Sequence, residues 1–140
     1  MELIVNRDYS SITGLRHCTV MDFSGEDFYH KLLNEKFASA CSSKEKLVLV
    51  LDGTLDGYSP SFIDEAIGNL VYDFTLNLVE ENLQVVSNTD ARWSKLILEK
   101  TFPLWEERRL KGIEPKITVN HPAWYRLVNG KFEKKTWITI

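Results

Sequence analysis

The sequence predicts an α/β fold: one domain with a small mixed β-sheet, packed helices and a C-terminal β-hairpin. Three observations predict it. Leu47-Val48-Leu49-Val50-Leu51 is an unbroken apolar run of strand length between Lys46 and Asp52, the pattern of a central strand covered on both faces. Leu83-Gln84-Val85-Val86 has the same character after an intervening helical stretch, which makes a strand, helix, strand unit and favours parallel pairing with the Leu47 strand. Asn129-Gly130, set between Trp124 to Val128 and Phe132 to Ile140, is the strongest short-range hairpin signal.

The remaining elements follow in chain order. Leu3 to Asn6 reads as a short strand, and Gly14 to Val20 carries a weaker strand signal. Ser24-Gly25-Glu26-Asp27 opens a helix, because the Ser24 hydroxyl can cap orphan amides while Glu26 and Asp27 face the positive end of the dipole. Phe28, Leu32, Leu33, Phe37 and Ala40 form its apolar face, with an end near Cys41. After a turn-rich loop from Asp52 to Ser59, a second helix starts with Pro60 near its first position. Its wide stripe runs through Phe62, Ile63, Ala66, Ile67, Leu70, Val71, Phe74 and Leu78, with Asp64, Glu65, Asn69, Asp73 and Asn77 expected to turn away. Gly68 costs this helix about 1 kcal/mol relative to Ala, which close packing against a neighbour would offset. Asp90 can cap a third helix bearing Trp93, Leu96 and Ile97; Pro103 points to a restart, and Gly112 to the stop.

Composition fits a packed domain. With 44% hydrophobic and 26% charged residues, the 140-residue chain lies far from the signature of disorder. No repeat or Gly/Pro/Ser linker interrupts it, so residues 1–140 read as one domain with a core over about 1–112 and a ribbon over about 116–140. The N-terminal residues carry Glu2 where a signal peptide would be basic, and no apolar run approaches bilayer length, so a cytoplasmic protein is expected. Cys18 and Cys41 lack metal or redox spacing and read as reduced structural thiols.

Net charge is −3, but residues 1–90 hold 6 Lys/Arg against 15 Asp/Glu and residues 91–140 hold 11 against 5. The −9 head and +6 tail can attract each other within one fold. Trp93, Trp105, Trp124 and Trp137 all lie in the basic part. Lys116, Arg126, Lys131, Lys134 and Lys135 alternate there with Trp124, Tyr125, Phe132 and Trp137, which makes nucleic-acid binding by the tail the alternative reading.

The most informative stretch is Leu47 to Glu65: an apolar strand ending in Asp52, a turn-rich loop, then Ser59-Pro60-Ser61-Phe62-Ile63-Asp64-Glu65 leading an amphipathic helix. This arrangement resembles the STAS-like domain family, related to STAS anti-sigma-factor antagonists. The resemblance covers residues 47 to 87, and the rest by element order. In those antagonists a strand-end Asp precedes an Asp-Ser-Ser-Gly loop whose first serine is phosphorylated by a kinase of the histidine-kinase-like ATPase fold. Ser61 falls on that serine position, although Ser59-Pro60-Ser61-Phe62 replaces the motif. The resemblance implies a regulatory protein-interaction module with such an ATPase as partner. Asp56, Tyr58, Ser59, Ser61, Asp64 and Glu65 form the expected partner-binding set, and Ser61 the phosphorylation candidate. Pairing of the ribbon with a second copy, as a homodimer, stays open.

No enzyme is expected. Gly57-Tyr58-Ser59 has the look of a nucleophile elbow, but the following Pro60 lacks the amide that would build the oxyanion hole. Asp52, Asp56, Asp64 and Glu65 match no EF-hand spacing, and helix-start acids have an electrostatic explanation of their own. His17, His30 and His121 lie far apart in sequence beside apolar or helical residues, the pattern of packing or surface histidines. No catalytic residue, cofactor or metal site is read from the sequence.

Overall fold

Three short strands, β1 (Glu2–Ile4), β2 (Leu47–Val50) and β3 (Leu83–Val86), pair in parallel in the order β1-β2-β3. The structure, a computed structural model, describes residues 1–140. Leu3 pairs with Leu49 and Leu49 with Val85, so one face of the sheet is aliphatic across all three strands. Leu3, Leu47 and Leu49 on that face are sealed in the core. The other face carries Glu2, Ile4, Val48, Val50, Gln84 and Val86, none of them buried. The central strand is thus fully covered on one face, against the expectation of two, because the core packs only where Leu47 and Leu49 point. Parallel and antiparallel pairings, expected in one mixed sheet, are divided between this sheet and a separate two-stranded ribbon.

β1 starts one residue before the expected Leu3 and ends two before the expected Asn6, since Val5 already enters a single helical turn, α1 (Val5–Asp8). Gly14 to Val20 forms no strand. Its Leu15 and Arg16 carbonyls accept the amides of Gly25 and Glu26 at 2.9 and 3.0 Å, so the segment serves as an extended cap instead. Ser24 then caps α2 (Gly25–Phe28), its Oγ accepting from the Asp27 amide at 3.1 Å. The helix passes through a π-helical turn (Tyr29–Leu33) into α3 (Asn34–Ser42).

Helix α4 (Pro60–Phe74) departs most from expectation. Glu65, Asn69 and Asp73 do not face water; each is 3% exposed. A second helical layer and the ribbon cover the polar side of α4, and each polar group there finds a partner inside. Gly68 explains how close that layer comes: a Cβ at this position would fall inside the Trp105 indole. Thr75 breaks the helix at φ 74°, ψ 149°, and α5 (Leu76–Asn82) follows.

The third helix is continuous where a restart was expected. α6 (Arg92–Leu96) widens into a π-helical turn (Ile97–Thr101) and runs on as α7 (Phe102–Lys111), so the wider turn accommodates Pro103 without a break. Gly112 ends it at φ 68°, in the left-handed conformation a C-cap requires. Strands β4 (Trp124–Val128) and β5 (Lys131–Lys135) form the predicted hairpin, with Asn129 at φ 52° and Gly130 at φ 78° as in a type I′ turn. Pairing stops at Lys135, short of the expected Ile140.

The ribbon lies on the core through specific bonds. Arg126 Nε donates to Asp73 at 2.8 Å and the Asn34 side chain bonds both backbone groups of Tyr125, while within the ribbon segment Trp137 Nε1 donates to the Trp124 carbonyl at 2.8 Å. Attraction between the acidic head and basic tail is realised at Arg126. No helix is long and apolar enough to cross a membrane.

Candidate functional site

Because all three strands of the main sheet run the same way, the segments that follow them gather at one edge. This is the edge where open α/β sheets place ligand contacts. The Leu51–Ser59 loop emerges between the other two and is stitched to both neighbours. Asp52 accepts from the amides of Asn88 and Thr89 at 3.1 and 2.8 Å and from Thr89 Oγ1 at 2.8 Å, which ties the end of β2 to the segment after β3. Those amides hold its carboxyl below the ordinary aspartate value. On the other side the Leu55 amide donates to the Ser11 carbonyl at 2.8 Å, and Thr13 Oγ1 to the Gly57 carbonyl at 3.1 Å.

The six residues expected to bind a partner do not share one surface. Asp56 is exposed at the loop tip beside Leu55, itself 63% exposed. Tyr58 is half-buried: its hydroxyl donates to the Leu51 carbonyl at 2.8 Å and its ring packs on Phe62 and Trp93. Asp64 accepts from Arg16, Thr101 Oγ1 and Trp105 Nε1 at 2.8, 3.0 and 3.2 Å. Glu65 is buried against Arg16 and Asn69, and burial holds its carboxyl above the ordinary value. These two acids therefore lock helices together and are not available to a partner, since removing their polar ligands inside the fold would leave charge unpaired.

The two serines separate clearly. Ser59 caps α4, accepting from the Phe62 amide at 3.1 Å and donating its one proton to the Gly14 carbonyl at 3.1 Å. Ser61 Oγ lies 3.1 Å from Ser59 Oγ. With the Ser59 proton spent, Ser61 is the donor of that bond, and its own oxygen is uncommitted.

Beside this helix start is an open cleft of about 440 Å³ whose apolar floor comes from Pro60, Trp93 and Leu96. Arg92, Lys95 and Lys100 rim it, Arg92 held by Asp90 at 2.6 Å, with Glu99 the one acid of the lining. The groove thus reaches Pro60, the sequence neighbour of Ser61, and the exposed apolar tip at Leu55 precedes both in the same loop. The ribbon, by contrast, uses its aromatic residues internally: Trp124 is buried, Tyr125 and Phe132 pack partly buried on the core, and Trp137 holds the Trp124 carbonyl under the Arg126 and Lys135 side chains. Stacking platforms for nucleic-acid bases are not what these residues present.

A second constellation has no counterpart in the sequence reading. Glu26, fully buried at the start of α2, accepts from His121 Nε2 at 2.6 Å, from Thr118 Oγ1 and amide at 2.7 and 3.0 Å, and from the Cys18 amide at 3.1 Å. His17 Nδ1 is 3.2 Å from the same carboxylate, and His30 stacks on His121 with ring centroids 3.9 Å apart. All three histidines of the chain meet here, which corrects their reading as unrelated packing or surface groups. Burial alone would raise the Glu26 pKa, but the His121 and Thr118 bonds hold it well below the usual carboxylate range. Burial pushes the His30 imidazole down to about 3 and the Cys18 thiol up to about 11. Cys18 Sγ, a Glu26 carboxylate oxygen and a His121 ring nitrogen all lie within 4.8 Å of one another, the one such trio of ligand atoms in the structure. The local half of this cluster was legible: His17-Cys18 precedes Glu26 by eight residues, and Glu26 and His30 stand at i,i+4 on one helix. The half that completes it arrives from 95 residues away and leaves no local signal.

A family model described as a STAS-like domain of unknown function matches residues 24–93, half of the chain, from the Ser24 cap through the loop and α4 to Trp93. No curated protein and no solved structure matches the chain.

Proposed function

The chain belongs to the STAS-like domain family, and from that premise we propose that it is a regulatory protein-interaction module controlled at Ser61. STAS-like domains generally mediate protein interactions, and the contact surface we assign is the Leu55–Asp56 loop tip with the groove at Pro60, Trp93 and Leu96. The partner it fits presents an apolar anchor within an acidic segment, complementary to Arg92, Lys95 and Lys100. The control point rests on one observation: Ser59 is committed as the cap, whereas Ser61 donates its single bond and keeps its oxygen free at the start of a 15-residue helix. A phosphate on that oxygen adds about −1.5 to −2 charges. That outweighs the positive charge that Lys95 and Lys100 leave over Glu99 and would release an acidic partner. The kinase class that the resemblance implies is the histidine-kinase-like ATPase.

The test compares wild type, Ser61→Ala and Ser61→Asp, each recovered from the cells that make the protein. Intact-mass analysis should find phosphate on wild type and none on Ser61→Ala. Ser61→Asp should bind the captured partner about tenfold more weakly than Ser61→Ala, a difference of about 1.4 kcal/mol. Equal recovery of the same partner by all three, with no phosphate on wild type, overturns the switch.

A further inference from the structure

We propose that Cys18, Glu26 and His121 form a metal site, with zinc as the resident ion. The proposal is independent of the interaction surface. It begins with a charge problem: the Glu26 carboxylate is fully buried, yet no lysine or arginine pairs with it, and its ionic partners are His17 and His121 alone. Buried carboxylates are paired with cations or ligate metals. Here a sulfur, a carboxylate oxygen and an imidazole nitrogen converge within 4.8 Å, which is the mixed donor set and the ligand number of an open tetrahedral zinc site. A hard-ion site would be built from oxygens, and thiolate argues against one.

The surroundings are those of a supported site. The Cys18 and Thr118 amides and Thr118 Oγ1 orient the carboxylate, and Ser24 Oγ bonds the Cys18 sulfur at 3.4 Å. Such outer contacts fix ligand geometry before a metal arrives. The His121 ring is held by the parallel His30 ring, tilted 8° from it, and His30 in turn stands edge-on to Trp124. His30 Nδ1 is itself buried with no hydrogen-bond partner, an unmet polar atom next to the trio. His30 belongs to the π-helical turn, a feature often kept where a helix must aim a functional side chain. Access exists from two sides: Cys18 lines a cleft of about 240 Å³ and His121 a cleft of about 320 Å³, and both clefts share Asp27 and Lys31. A metal at this point would tie the Cys18 segment, the start of α2 and the segment before the ribbon into one knot.

Cobalt(II) reads the site directly, because thiolate ligation gives a sulfur-to-cobalt charge-transfer band. Chelator-stripped full-length protein should bind one cobalt per chain with that band, and zinc should displace it. The chain has two cysteines, so retention of the band in Cys41→Ser assigns the sulfur to Cys18 without needing a Cys18 variant to fold. His121→Gln should weaken cobalt binding by at least about tenfold while its near-ultraviolet circular dichroism matches wild type. Zinc should raise the melting temperature of wild type and Cys41→Ser. Absence of a charge-transfer band in wild type, or its loss in Cys41→Ser, overturns the proposal.

Discussion

Ser59 and Ser61 stand two residues apart at one helix start and have different duties, set by where each proton goes. Asp52 shows the same specificity. Its carboxylate is solvent-facing, yet three donors from Asn88 and Thr89 converge on it. A folded pKa held below the ordinary 3.8 means the clasp is complete above that value and opens only as pH falls through the lowered one. The Thr89 amide resonance should therefore titrate with a midpoint below 3.8; a midpoint at or above it would show that the clasp is absent. Thr75 offers a test of strain. A β-branched residue at φ 74°, ψ 149° sits in backbone territory that only glycine occupies freely, and its cap on Leu78 is long at 3.4 Å. Thr75→Gly should stabilise the protein by about 1 kcal/mol, seen as a melting temperature raised by a few degrees. An unchanged or lowered melting temperature would mean the strain is not stored there.

At the scale of elements, α4 organises everything else. Its apolar stripe was legible because Phe62, Ile63, Ala66, Ile67, Leu70, Val71 and Phe74 recur at helical spacing. Its polar residues were misread for a physical reason: periodicity reports which residues are apolar, not what covers the rest. Glu65, Asn69 and Asp73 are buried, and no local pattern records that Arg16 and Tyr29, 49 and 44 residues earlier, and Arg126, 53 residues later, will meet Glu65 and Asp73. The strand, helix, strand unit, the Ser24 and Ser59 caps, the Gly112 stop and the Asn129-Gly130 turn were legible because each is fixed by neighbours in sequence. Gly68 marks the boundary between these cases, since its cost announced a close neighbour without naming Trp105. Gly68→Ala should destabilise by about 1–3 kcal/mol or more, because the added methyl has no space between α4 and the indole. A neutral Gly68→Ala, measured by chemical denaturation, would contradict that packing.

The whole molecule is a parallel sheet covered on one face, a buried central helix, and a ribbon bolted to that helix from outside. The bolt is Asp73, which is 3% exposed and receives Tyr29 Oη and Arg126 Nε at 2.5 and 2.8 Å. Arg126→Ala leaves this carboxylate without its cation and should cost about 3–5 kcal/mol. Asp73→Asn combined with Arg126→Met should recover much of that loss, and failure of the pair to recover it would show that the ribbon docks through its aromatic contacts instead. With the ribbon held on the core, the interaction surface we propose is the loop tip and the basic groove. The most direct measurement of that assignment places a photo-crosslinking residue at Leu55 and, separately, at Asn129 in the ribbon turn, in cells that make the protein. The account predicts a discrete protein adduct from Leu55, reduced when Ser61→Asp is added and restored with Ser61→Ala, and none from Asn129; adducts from Asn129 alone, or a Leu55 adduct indifferent to Ser61, would contradict it.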